Sequence, residues 1–94
     1  MTKEYILNFL KTNKQLLNQK YDVTKIGLFG SYARNEAKES SDIDIIVEMP
    51  SKFDAFYDLK EFLEDQFKKN IDLGLEKSIR PFIKNAIKED IIYV

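Results

Sequence analysis

The run Asp42-Ile43-Asp44-Ile45-Ile46-Val47-Glu48, halted soon after by Pro50, constrains this chain more than any other stretch. Its β-branched residues are stiff at χ1 and favour an extended backbone. Ile45, Ile46 and Val47 are consecutive, so side chains that point to opposite faces of a strand are all apolar. The strand over Asp42 to Glu48 is therefore expected to be buried on both faces, which requires a sheet with cover on each side. At 94 residues the chain has material for one domain over 1–94 with one thin core, burying roughly 60–65% of its unfolded surface.

The remaining elements follow from periodicity. Ile6, Phe9, Leu10, Leu16 and Leu17 predict a helix over Thr2 to Asn18, with Asn13 interrupting its stripe. Val23 to Phe29 reads as a short strand closed by Gly30. Ser31 to Asn35 suits one helical turn with Ser31 as its cap. Ser51 and Asp54 have capping-box spacing ahead of a helix whose face is Phe56, Leu59, Phe62, Leu63 and Phe67. Asn70 to Leu75 alternates as a third strand. Pro81 opens a last helix with Phe82, Ile83, Ala86 and Ile87 as its buried stripe, and Ile91 to Val94 reads as a short edge strand. The order predicts an α+β fold, a small mixed sheet flanked by helices. The aromatic residues on these stripes are expected to fill the thin core, with Tyr32 and Phe53 as candidates for an exposed partner surface.

Composition limits the chemistry. There is no cysteine and no histidine, so disulfides, thiolate zinc sites and the commonest general base are all excluded. What remains is carboxylates, hydroxyls, lysine and arginine, and hard oxygen ligands favour magnesium or manganese. A net charge of −1 gives no reason to expect direct nucleic-acid binding. No apolar run is long enough for a membrane span, and Met1-Thr2-Lys3-Glu4 does not resemble a signal peptide, so a cytoplasmic location is expected.

Three features then combine. Asp42 and Asp44 at positions i and i+2 project from one face of a strand, where a divalent cation would relieve their repulsion. Taken alone, such a pair equally suits a loop or cap accepting backbone N–H bonds. Asp72 interrupts Ile71, Leu73 and Leu75. If its strand lies beside the second one, it adds a third carboxylate, able to ligate metal or to take a proton; otherwise it is a solvent-face residue. Gly30-Ser31 sits at a strand-to-helix turn, where backbone N–H groups and a hydroxyl suit a phosphate. Ser31 precedes Asp42 by eleven residues, which would set a phosphate cradle beside a metal site.

The runs Gly30-Ser31-Tyr32-Ala33-Arg34-Asn35-Glu36-Ala37 and Ser40-Ser41-Asp42-Ile43-Asp44 resemble the signature of the polymerase-β-like nucleotidyltransferase superfamily. The finer resemblance is to its minimal nucleotidyltransferases, of the antitoxin (MntA-like) type, and Ile71-Asp72-Leu73 is similar to the family's third acidic strand. The resemblance implies that Gly30, Ser31 and Ser41 help to hold ATP, that Asp42, Asp44 and Asp72 bind magnesium or manganese as a catalytic triad, and that Arg34 touches a phosphate or makes a structural ion pair. It also implies AMP transfer to a tyrosine hydroxyl of a HEPN ribonuclease toxin, with which the domain would form a hetero-oligomer. A non-catalytic module that neutralises its partner by covering it, and a small-molecule nucleotidyltransferase, are the alternatives. Asn35 departs from the family's usual glycine but tolerates a left-handed backbone. Gly74 departs from a usual β-branched residue, which would loosen the strand or admit a close approach.

Overall fold

The computed structural model describes residues 1–94. Thr2 caps the first helix, α1 (Lys3–Thr12), by accepting the Tyr5 N–H at 3.1 Å. The helix expected to run on to Asn18 is in fact two. Asn13 donates its side-chain amide to the Phe9 carbonyl at 2.9 Å, a local bond that competes with the helical ladder, and α2 (Lys14–Tyr21) restarts after it. Asp22 ends α2 in the left-handed region at φ 59°.

Strand β1 (Lys25–Phe29) leads into a single helical turn, α3 (Gly30–Ala33). The turn opens on Gly30 rather than on Ser31, and no side chain caps it. Strand β2 (Ile43–Glu48) is followed by α4 (Phe53–Phe67), β3 (Ile71–Leu75), a 3-10 turn (Glu76–Ser78), α5 (Pro81–Ile87) and β4 (Ile92–Tyr93). The capping box expected at Ser51 does not form. Lys52 donates its N–H back to the Pro50 carbonyl at 2.8 Å, and this tight turn leaves Ser51 outside the cap position.

The sheet order is β3-β2-β1-β4. β1 pairs antiparallel with β2 and β4, and β2 pairs parallel with β3 through the α4 crossover, so the sheet is mixed as expected. Ile26, Leu28, Ile43, Ile45, Val47, Ile71 and Leu73 form its inner face, and α1, α2 and α4 cover it with Ile6, Leu10, Leu17, Leu59, Leu63 and Phe67. Glu64 of α4 accepts the Ile71 N–H at 3.1 Å and pairs with Lys60 at 3.0 Å. The first of these bonds, then the second, holds its carboxyl below the usual range and pins the start of β3.

The opposite face carries Gly27, Asp44, Ile46, Asp72 and Gly74. Its floor is filled from the C-terminal segment. A Cβ on Gly27 would lie 2.9 Å from the Tyr93 ring and 3.1 Å from Ile91, and a Cβ on Gly74 would lie 3.4 Å from Ile79. Gly74 thus admits a close approach without breaking β3. This packing corrects one expectation: α5 buries none of its stripe, and Phe82 is 68% exposed and Ile83 41%. The outer face over Gly27 and Gly74 is met by Ile91, Tyr93 and Ile79 instead. Tyr32 is also corrected. It is buried in the core, whereas Phe53 and Tyr57 at the start of α4 are exposed. No helix is long and apolar enough to cross a membrane.

Candidate active site

The site lies where β1 ends and β2 and β3 begin. In an antiparallel pair the end of one strand meets the start of the other, and Phe29 is accordingly in register with Asp44. In the parallel pair the starts coincide, and Asp44 is in register with Asp72. Directly paired residues share a face, so the two carboxylates stand side by side, close enough for one to hydrogen-bond the other when protonated. Asp42 is exposed, one residue before β2, and its charge reaches Asp44.

Gly30 closes the site from the β1 side. Its φ is +73°, and its missing side chain leaves the space that the Asp44 carboxylate fills, with Asp44 Cγ only 2.9 Å from where a Cβ would be. Burial first, then the charges of Asp72 and Asp42, together raise the Asp44 pKa to about 6, against the opposing effect of Arg34. Ser31 follows on the helical turn and is half-buried. Asn35 takes φ 59°, the left-handed conformation that lets it stand in for glycine.

The other sequence-expected residues are placed differently. Arg34 makes ion pairs, with Nη1 3.1 Å from Asp90 and Nε 3.5 Å from Glu36. Ser41 Oγ accepts the Lys38 N–H at 2.8 Å and so helps to shape the loop before β2, which Lys69 also pins by donating to the Glu39 carbonyl at 2.6 Å. Asp90 was not legible as a site residue, because an acid in the Lys88-Glu89-Asp90 surface run has no spacing that points to Arg34.

No three carboxylates close into a ready-made cage. The fit to a cation rests instead on the donor set. Asp44 and Asp72 are forced together by register, Asp42 is within electrostatic reach, and all offer hard oxygens. Such a group is stabilised by a divalent cation and strained without one. Beside it, the first N–H groups of the Gly30–Ala33 turn suit an anion.

Comparison with known proteins identifies the family. The nucleotidyltransferase domain family model matches residues 7–94. A Methanocaldococcus jannaschii protein, provisionally named a protein adenylyltransferase, is 45% identical over 95% of this chain and 94% of its own. The protein adenylyltransferase MntA of Thermococcus cleftensis is 38% identical over 100% of this chain and 97% of its own. A solved structure provisionally described as a minimal nucleotidyltransferase superposes with a TM-score of 0.82 at 24% identity, covering 98% of this chain and 95% of that one. A chain from a toxin–antitoxin structure with AMP-PNP superposes with a TM-score of 0.73 at 23% identity, over 88% of this chain and 69% of that one; the likeness is one of fold.

Proposed function

The chain belongs to the nucleotidyltransferase domain family, and on that premise we propose that it is a minimal nucleotidyltransferase that transfers AMP from ATP to a hydroxyl of a partner protein. The observation that carries the proposal is the side-by-side placement of Asp44 and Asp72 against Gly30. The protein adenylyltransferase names of relatives at 38–45% identity support protein as the acceptor class. The partner in this reading is a HEPN ribonuclease toxin modified on a tyrosine, which makes this chain its antitoxin.

The residues divide the work. Asp42, Asp44 and Asp72 hold magnesium or manganese, whose charge when bound offsets that of the triphosphate and the carboxylates. Gly30, Ser31 and Ser41 position the triphosphate, and Arg34 reaches a phosphate oxygen. The acceptor hydroxyl oxygen bonds to the α-phosphorus as the bond to the pyrophosphate oxygen breaks. Asp72, the more exposed member of the close pair, takes the hydroxyl proton. The products are the adenylylated acceptor and pyrophosphate. Positioning and charge neutralisation suffice for this chemistry in a chain without histidine.

The test is transfer from ATP labelled in the α-phosphate. Label on the co-expressed partner, dependent on added magnesium and absent with Asp42→Asn, is the expected result. Label that appears equally with a chelator present would refute the metal assignment.

A further inference from the structure

We propose that Asp90 is a positioning residue for nucleotide binding: its carboxylate holds the Arg34 guanidinium over the Asp44 end of the site, aimed at the triphosphate. The inference rests on the nucleotidyltransferase reading above and adds to it a residue far along the chain.

Both partners are hung on the same strand. Arg34 ends the helical turn that continues β1, and its N–H bonds the Gly30 carbonyl at 3.1 Å. β4 pairs antiparallel with β1, Leu28 with Ile92 and Gly27 with Tyr93, and the Val94 N–H donates to the Ile26 carbonyl at 3.1 Å. Antiparallel pairing carries the residues just before β4 toward the end of β1, so Asp90 arrives beside the Gly30–Arg34 turn. There its Oδ2 lies 3.1 Å from Arg34 Nη1, across 56 residues of sequence. Asp90 is itself fixed, since its N–H bonds the Ile87 carbonyl at 2.9 Å. Its side chain is 27% exposed, against 66% for Glu36, the other partner of Arg34. Asp90 is therefore the better-shielded anchor.

Arg34 is also close enough to Asp44 for its charge to act on that carboxylate. A guanidinium has five donors in a rigid fork, so one edge can stay on Asp90 while another meets a phosphate. A free arginine would have to lose its side-chain freedom when the nucleotide arrives; here the ion pair has already removed it. An exposed ion pair contributes little to folding, so the effect should appear in ligand binding rather than in stability.

The test is calorimetric titration of the full chain with ATP and magnesium, for wild type, Asp90→Asn, Asp90→Glu, Arg34→Ala and the double variant Arg34→Ala with Asp90→Asn. Asp90→Asn is expected to weaken binding by about tenfold, with a melting temperature close to that of wild type. Asp90→Glu, which keeps the charge, should recover most of the affinity. In the Arg34→Ala background, Asp90→Asn should cost nothing further. Wild-type affinity in Asp90→Asn would overturn the inference alone, and so would an equal loss in both backgrounds. A wild-type chain that does not bind ATP with magnesium would overturn the nucleotidyltransferase reading as well, and this inference with it.

Discussion

The Asp44 carboxylate occupies the space that a side chain on Gly30 would need: a Cβ there would sit 2.9 Å from Asp44 Cγ and 3.1 Å from Asp44 Cβ, at φ +73°. The glycine that opens the helical turn and the middle aspartate of the acidic group are thus one steric unit. Gly30→Ala should destabilise the fold by about 2–4 kcal/mol, of which about 1 kcal/mol is the left-handed backbone and the rest is overlap. Adding Asp44→Ala removes the overlap with the carboxyl group, leaving only the 3.1 Å approach of the residue 44 Cβ, and should return most of the steric part. Thermal melts of the two single variants and the pair check this, and strict additivity would show that the contact is not the cause.

Asp44→Asn should abolish transfer while leaving the chain folded. It removes a charged ligand at constant size, so the rate should fall by about a thousandfold or more. Steady-state transfer and a circular dichroism spectrum check the two halves, and near wild-type turnover would exclude Asp44 from the chemistry.

The raised Asp44 pKa gives a signed pH dependence without metal. A carboxyl whose folded pKa exceeds its unfolded value favours folding when protonated. That contribution is full below the ordinary aspartate value of 3.8 and is lost as pH rises through about 6. The groups that face it are Asp72, Asp42 and the opposing Arg34. In chelator, Asp44→Asn should therefore match wild type near about pH 4 and exceed it above about pH 7, by about 1 kcal/mol after allowance for solvent screening. Magnesium should reverse the order by stabilising only the wild type. Chemical denaturation across that range checks the sign, and a gap that narrows with rising pH would contradict it.

Ser31→Ala should weaken ATP binding by about 1 kcal/mol, the loss of one neutral phosphate donor, and only when magnesium is present. Calorimetry with and without chelator measures both effects. A wild-type affinity for ATP that is the same in chelator as in magnesium would place the nucleotide elsewhere.

Much of this was legible in the sequence because the signals are local. The apolar run after Asp44 specified a strand buried on both faces, and Ile46 on the outer face is fully buried. Alternation around Asp72 specified a second strand whose register sets the two carboxylates together. What was not legible depends on neighbours distant in sequence. The α5 stripe looked buried because amphipathic helices usually are, yet α5 buries none of it, and residues flanking α5, Ile79, Ile91 and Tyr93, are the ones that meet Gly27 and Gly74. The break at Asn13 turned on one amide bond to Phe9, and the Asp90–Arg34 pair spans two elements that meet only through β1.

Transfer of AMP and mere covering of the partner are separated most directly by the Asp72→Asn variant. Asparagine keeps the shape of Asp72 but is a poor proton acceptor and a weaker ligand. A partner surface on exposed aromatics such as Phe53, which is 75% exposed, would be untouched by the change. Mass spectrometry of the co-expressed partner should show the mass of one AMP, or a small multiple, on a tyrosine-bearing peptide with wild type. With Asp72→Asn the partner should still bind and never gain that mass. A partner neutralised equally by both proteins, and unmodified by wild type, would mean that the domain works by covering its target.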